Sequence, residues 1–431
     1  MTKKELLKGI IRDFHFEAHY ELFERDINIP LSSGKIISLI GARRSGKTFC
    51  LFNLIENLQK NGIDFKKILY LNFEDERLDL KTDELDLILQ AYRELYPDLN
   101  LKECCLFFDE IQNVEGWEKF VRRVYDSITR NIFITGSNSK FLSTEIATSL
   151  RGRTISYEVF PLSFREYLRF NRVTVDLYSS RTLAKINSLL QKYLTEGGFP
   201  EVINYDASFR KKTLQEYFNV MIYRDILERY KIKNTAVLKF FIKRIFASAT
   251  KQLSVNTIYN ELKSSGFKIG KNHLYEYLDM CQNIFLVFIL KKYACKLVSL
   301  ELGERKVYAI DSGLLNAVSF KFSDDRGNAM EQAVFLELRR KGKEIYFYKE
   351  RYECDFIVKE GNSVSEAIQV AYLLPDEKTR NREIRGITDA CKAFGLKKAT
   401  LITFDMSQDF TVEKIKIRAV PLYRWLLERD K

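Results

Sequence analysis

Over the first 160 residues, short apolar runs alternate with stretches of helical spacing. Lys35-Ile36-Ile37-Ser38-Leu39-Ile40, Lys67 to Phe73, Cys104 to Phe108, Asn131 to Gly136 and Ile155 to Val159 each have the length and composition of a strand. Between them, Phe49 to Ile55 and Glu84 to Tyr92 repeat apolar residues at helical intervals. Continuous apolar strands separated by helices predict a parallel sheet covered on both faces. From Ser163 to about Thr250 the pattern is helical, broken at Gly197-Gly198-Phe199-Pro200, where glycine ends one helix and proline opens the next element. Ser254 to Leu262 and Lys271 to Met280 predict two helices joined by a tight turn. Ile284 to Tyr293 and Lys306 to Ile310 predict two strands after them, an order that suggests a winged helix-turn-helix. The last third predicts an amphipathic helix, Met330 to Leu338, then strands at Glu344 to Tyr348, Glu353 to Val358 and Ala367 to Val370, and a basic helix ending near Phe394. The expected class is α/β in four parts: residues 1–160 around a parallel sheet, 161–250 helical, 251–325 winged-helix-like, and 326–431 α/β again.

One loop concentrates the chemistry. Gly41-Ala42-Arg43-Arg44-Ser45-Gly46-Lys47-Thr48 is a complete G-x-x-x-x-G-K-[ST] phosphate loop, with a strand before it and a helix after it as the motif requires. Its glycines let backbone N–H groups turn inward toward phosphate oxygens, and the start of the helix adds its positive end. Lys47 is placed for the β/γ-phosphates and Thr48 for Mg²⁺. About sixty residues on, Cys104-Cys105-Leu106-Phe107-Phe108-Asp109-Glu110 runs an apolar strand into two acids. Phosphoryl transfer needs one carboxylate for the Mg²⁺ shell and a second to orient or deprotonate water, which assigns Asp109 to the first role and Glu110 to the second. Asn138 or Ser137, after the strand ending at Gly136, is the candidate γ-phosphate sensor; a helix N-cap is the alternative for both. Arg151 and Arg153 are candidates for a charge-stabilising finger, in the same chain or on a neighbouring subunit, against the alternative of surface arginines.

Composition narrows the setting. The chain has 431 residues, 46% of them hydrophobic, enough for several packed cores. It lacks a run of eighteen apolar residues, and charges interrupt its first eight positions, so the expectation is a cytoplasmic protein with no membrane span. Seven scattered cysteines show neither a zinc spacing nor a disulfide framework. The net charge of +12 favours an acidic partner. Between Ala207 and Lys251, eleven Lys/Arg face three acids, which is either a solvated helical face or a surface for nucleic acid. In the second helix of the winged-helix pattern, Lys271, Asn272, His273 and Tyr275 would face a DNA major groove. Use of the same fold for internal packing is the rival reading.

Several signatures in fixed order resemble one prokaryotic family of AAA+ type P-loop ATPases. They are Gly41 to Thr48 with its paired arginines, Asp109-Glu110-Ile111-Gln112, Thr135-Gly136-Ser137-Asn138 and Leu150-Arg151-Gly152-Arg153. Pro161 to Tyr167, Gly197 to Glu201 and Tyr223-Arg224-Asp225-Ile226 extend the resemblance along nearly the whole chain. It implies ATP binding and hydrolysis, followed by a C-terminal domain of unknown function. The last third itself resembles a restriction-endonuclease-like core in outline. Asp355 stands in the first hairpin, but Gln369 and Ala371 occupy the places of an acid and a lysine, so the fold reads as a degenerate nuclease without cleavage activity. Glu331, Asp355 and Glu366 are the acids left to gather a metal, or else to make structural hydrogen bonds. Two functions follow: ATP hydrolysis driving a conformational switch, with DNA as its candidate partner, or a slow nucleotide-binding scaffold for signalling or defence that works through protein partners or a homo-oligomer.

Overall fold

The computed structural model describes residues 2–17, 21–138, 149–294, 296–319, 326–373 and 377–428. Two units emerge, one of Met1–Phe160 with Asn283–Phe285, the other of Pro161–Gln282 with Leu286–Lys431.

The first unit is built on five strands, β1 (Ile36–Ile40), β2 (Ile68–Asn72), β3 (Cys105–Asp109), β4 (Ile132–Gly136) and β5 (Thr154–Glu158), in the order β2-β3-β4-β1-β5. Every neighbouring pair is parallel. Its strands read as unbroken apolar runs because both faces are covered. On one face Ile37, Leu39, Tyr70, Phe107 and Phe133 pack with Cys50, Leu51, Leu54, Ile55 and Leu58 of a helix, while Phe108 on the other lies tilted against Phe120, ring centroids 5.9 Å apart. Among the described residues, helices α1 (Lys3–Glu17), α2 (Lys47–Lys60), α3 (Asp86–Leu95) and α4 (Trp117–Ser127) belong to this unit. The strand order puts β1 between β4 and β5, so the carboxyl ends of β3, β4 and β1 open side by side.

The second unit begins with helices Phe164–Phe170, Ser180–Glu196 and Ala207–Val220. The last continues as a π-helix, Met221–Glu228, which the sequence pattern does not distinguish from an ordinary helix. Helices Thr235–Ala247, Val255–Ser264 and Lys271–Asn283 follow, then an antiparallel pair, β6 (Val287–Lys291) and β7 (Arg305–Ala309). The expected strand Ile284 to Tyr293 is shorter at both ends, and the expected Lys306 to Ile310 is shifted by one residue. Last comes a six-stranded mixed sheet of β8 (Glu344–Lys349), β9 (Glu353–Glu360), β10 (Ser363–Ala371), β11 (Lys398–Thr403), β12 (Gln408–Val412) and β13 (Ile415–Pro421), ordered β12-β13-β11-β10-β9-β8. Helix Glu377–Phe394 crosses from β10 to the parallel β11. One face of the sheet buries Cys354, Ile357, Ala367 and Leu401 with Ile387 and Cys391 of that helix. On the other, Phe335 of helix Arg326–Arg340 stacks on Tyr308, rings 3.9 Å apart and 2° from parallel. Among the described residues, no helix is long and apolar enough to cross a membrane.

The Gly197-Gly198 break has a packing cause. Gly198 N–H donates to the buried Asp311 carboxylate at 2.7 Å, and Asp311 also accepts from Leu314 N–H at 2.8 Å, capping helix Ser312–Val318. Burial raises the Asp311 carboxyl to about 6, against the lowering effect of these N–H groups. A Cβ on Gly197 would sit 2.1 Å from Asp311 Oδ1, and its φ of 80° lies where side chains are disfavoured. Gly197→Ala is therefore expected to destabilise this unit by about 3 kcal/mol, combining backbone strain and overpacking. A denaturant titration with an unchanged midpoint would refute that packing argument.

A candidate nucleotide site at the carboxyl edge of the first sheet

The chain leaves β1 into Gly41 to Gly46 and re-enters a helix at Lys47. Gly46 caps α2 in a left-handed conformation, φ 95° and ψ 25°. Gly41 is required by what lies over it: an added Cβ would meet Val159 O at 2.1 Å, because Val159 N–H bonds Ile40 O at the end of β5. Arg25 straps the same place, donating to Ser45 O at 3.1 Å and Phe160 O at 2.7 Å. Ser45 is fully buried, and its hydroxyl has no hydrogen-bond partner among the described residues. A buried hydroxyl left over inside a glycine loop fits a phosphate-binding cradle, since buried polar groups are otherwise paired.

Opposite the loop stand the two acids. Thr48 Oγ1 donates to Asp109 Oδ2 at 2.7 Å, and Tyr70 OH donates to the same oxygen at 3.0 Å. The Thr135 hydroxyl donates to Asp109 Oδ1 and accepts the Glu110 N–H at 2.8 Å, so one side chain on β4 positions both acids at the end of β3. Glu110 adopts φ 50°, a strained left-handed geometry for a residue with a side chain, and this turns its carboxylate back toward Lys47. Lys47 Nζ lies 3.1 Å from Glu110 Oε1 and also bonds Ala42 O at 3.2 Å. Gln112 Nε2 donates to the other Glu110 oxygen.

The environments of the acids differ. Burial, with the adjacent Glu110 charge, raises Asp109 above the ordinary carboxylate range, even though Thr135 and Thr48 donate to it. Burial also pushes Glu110 upward, but the Lys47 charge, the Gln112 and Lys47 hydrogen bonds and the more distant Arg43 outweigh it, and Glu110 ends below its usual value. Glu110 is thus a carboxylate at neutral pH. Thr48 and Asp109 offer hard oxygen donors side by side, the donor type that suits Mg²⁺.

Other expected residues distribute unevenly. Asn138 is buried two positions beyond β4, on the same edge as the loop. Arg43 pairs with Glu74, N to O 2.6 Å, just past β2. Arg44 takes φ 67° within the loop. Arg153 does not join the group. It precedes β5, whose first residue pairs with the first of β1, so Arg153 sits at the amino edge of the sheet and bonds Asp126 at 2.9 Å. Five residues of strand, roughly 16 Å, separate that edge from the loop. Gln112 and Thr135 stand inside the quoted signatures, but no role was assigned to them; Tyr70, inside β2, and Arg25, before β1, lie outside every motif.

A parallel sheet carrying this loop and this acid pair is the nucleotide fold of P-loop proteins, and the chain belongs to an AAA+ type P-loop ATPase family. Residues 33–168 match the family described as AAA domain, and residues 187–325 match a domain of unknown function, DUF8612. That second match covers the middle of the chain rather than its last hundred residues. The chain is 38% identical over 445 residues to the uncharacterized protein MJ1544 of Methanocaldococcus jannaschii, spanning 99% of this chain and 96% of that one, and belongs to its family. It is also similar to an uncharacterized protein of Haemophilus influenzae, 31% identical over 395 residues, with coverage of 91% and 94%. Among solved structures, Cdc6p from Pyrobaculum aerophilum aligns at 13% identity with a TM-score of 0.27, over 73% of this chain and 90% of that chain.

Proposed function

We propose that this protein hydrolyses ATP at the Gly41–Thr48 loop and uses the cycle to switch conformation on DNA. The observation that supports it best is Thr135, whose hydroxyl ties Asp109 and the Glu110 backbone together beside Thr48 and Lys47. Gly41 to Gly46 cradles phosphate oxygens with backbone N–H groups, and Lys47 carries positive charge to the β/γ-phosphates. Thr48 and Asp109 would hold Mg²⁺, which supplies charge at the phosphate oxygens when bound. Glu110 orients water and accepts its proton. Asn138 reads the γ-phosphate from the end of β4. Arg153 serves as a finger only toward a neighbouring subunit.

The DNA part of the reading rests on exposure. In helix Lys271–Asn283, Leu274, Tyr277, Leu278 and Cys281 are buried, while Lys271, Asn272, His273 and Tyr275 face solvent. This helix, its partner Val255–Ser264 and strands β6 and β7 follow the winged-helix order. Lys211, Lys212, Arg224, Arg229, Lys231 and Lys233 are likewise exposed in the preceding basic stretch. Residues 161–250, 251–325 and 326–431 then act as helical, winged-helix-like and degenerate nuclease-like parts of a cytoplasmic machine.

A second reading, nucleotide-controlled assembly with protein partners, is favoured by β5. This strand lies at the sheet edge with Ile155 42% exposed, and unpaired edges invite other chains. Turnover measured with and without duplex DNA over a salt series separates the two, together with molar mass with and without nucleotide. DNA stimulation that fades as salt rises is the expected result. Nucleotide-dependent oligomers with no DNA response would instead establish the second reading.

A further inference from the structure

The second unit contains a cleft of about 830 Å³ between helix Arg326–Arg340, strands β9 and β10, and helix Glu377–Phe394. Glu331, Glu353, Asp355, Gln369 and Glu383 face it. A nuclease core would keep a divalent ion here, yet the residues do not suit one. Gln369 carries no charge, and it is already engaged, donating to Glu383 Oε2 at 2.7 Å and accepting Asp355 N–H at 3.2 Å. Ala371 has no ammonium. Glu366, expected to join Glu331 and Asp355, accepts instead from Thr400 Oγ1 at 2.6 Å, toward β11. No group of three or more His, Cys, Asp or Glu that could hold a metal is found among the described residues.

The charge that the acids need comes from another strand. Lys306 on β7 is 2% exposed, and its Nζ lies 2.7 Å from Glu353 Oε1, 3.0 Å from Glu331 Oε1 and 3.3 Å from Asp355 Oδ1. An ammonium has three protons, and three carboxylates take them. Two further donors reach the same carboxylates: Tyr308 OH donates to Glu331 Oε1 at 2.6 Å, and Val370 N–H donates to Asp355 Oδ2 at 3.0 Å. Mg²⁺ would need those same oxygens about 2.1 Å away, around the point that Nζ fills. The rim of the cleft has the opposite character. Arg326 lies over the Tyr372 ring at 5.5 Å and bonds its hydroxyl at 2.6 Å, while Arg351 lies over the Tyr352 ring at 5.4 Å. Both guanidinium groups line the cleft, and the planar N–H fork is the donor type that recognises phosphate.

We propose that Lys306 is the resident cation of this cleft, standing in for a divalent ion, so that a phosphate ester is held at the mouth by Arg326 and Arg351 without metal and without cleavage. The inference does not depend on ATP turnover or on the winged-helix reading. Lys306 was legible in sequence only as one residue of a strand, because the acids it meets are 25 to 49 positions away.

Mn²⁺ titration of the full chain, followed by electron paramagnetic resonance, tests the cation. Wild type is expected to show no Mn²⁺ site that Asp355→Asn removes, whereas Lys306→Met gains one and Lys306→Met with Asp355→Asn loses it again. An Asp355-dependent Mn²⁺ site in wild type, or no gain in a folded Lys306→Met, would overturn the proposal. If Lys306→Met does not fold, Lys306→Met with Glu331→Gln restores the net charge of the cluster and decides the same question through Glu353 and Asp355. The ester is tested with thymidine 5′-monophosphate in EDTA, on a Lys47→Ala background that silences the phosphate loop. Arg351→Ala is expected to weaken binding about tenfold, the effect of one charge-assisted contact. No binding, or no effect of Arg351→Ala, refutes the phosphate site, and hydrolysis of an oligonucleotide that Asp355→Asn abolishes refutes the metal-free assignment. Loss of DNA-stimulated turnover alone bears on the ATPase reading and leaves these outcomes standing.

Discussion

Lys47→Ala is expected to lower ATP turnover by roughly 10²–10³-fold, the range seen when one preorganised donor is taken from developing negative charge. The effect should exceed that of a surface lysine because Lys47 is 4% exposed and acts in a site with little water to screen it. Its ammonium also holds Glu110 Oε1 at 3.1 Å and the loop carbonyl of Ala42 at 3.2 Å. The substitution therefore removes a phosphate ligand and also the charge that keeps Glu110 ionised, so its carboxyl should move upward in pKa. Steady-state turnover and equilibrium binding of a fluorescent ATP analogue read the two losses separately. Wild-type turnover in Lys47→Ala would remove the loop from the mechanism altogether.

Glu110→Gln should behave differently. Glutamine keeps the size of the side chain and accepts from Gln112 or Lys47 through its carbonyl, so the loop and the Thr135 bridge to the Glu110 backbone survive. What disappears is the proton acceptor. ATP should bind with little change while hydrolysis slows by roughly 10²–10⁴-fold, the contribution of a general base. Single-turnover hydrolysis against nucleotide affinity makes the distinction, because a residue that merely supports the fold would impair both. Should the variant hydrolyse at the wild-type rate, the base must be sought elsewhere, and the strained φ of Glu110 would need another explanation.

The two acids and the loop were legible because each is a local pattern: a strand, a turn of fixed chemistry and a helix within about a dozen residues. The parallel sheet was legible for the same reason, since strands covered on both faces leave unbroken apolar runs. Thr135 was not. Its role exists only because β4 lies beside β3 with Phe107 paired to Phe133, and register between distant segments leaves no local mark. Tyr70 reaches Asp109 through the pairing of Asn72 with Asp109, and the same reasoning applies. For Arg153 the motif was visible, but the edge of the sheet it occupies was set by which end of β5 it precedes. In the second unit the helix order was readable, but the three strands after Phe394 were not expected, and Lys306 could be recognised only once β7 lay against Glu331 and Asp355.

The hydrogen bond from Gly198 to Asp311 spans 113 residues, and this sets an order of assembly during synthesis. The strands of the first sheet all lie between Ile36 and Glu158, so that sheet can close while the rest of the chain is still being made. The second unit must wait. Helix Ser180–Glu196 emerges long before its partner Ser312–Val318, and until Asp311 arrives the Gly198 N–H has only water to bond. A nascent chain arrested near residue 300 should thus expose a protease-sensitive middle behind an already resistant nucleotide fold, and the long-range closure makes the second unit the slow step of maturation.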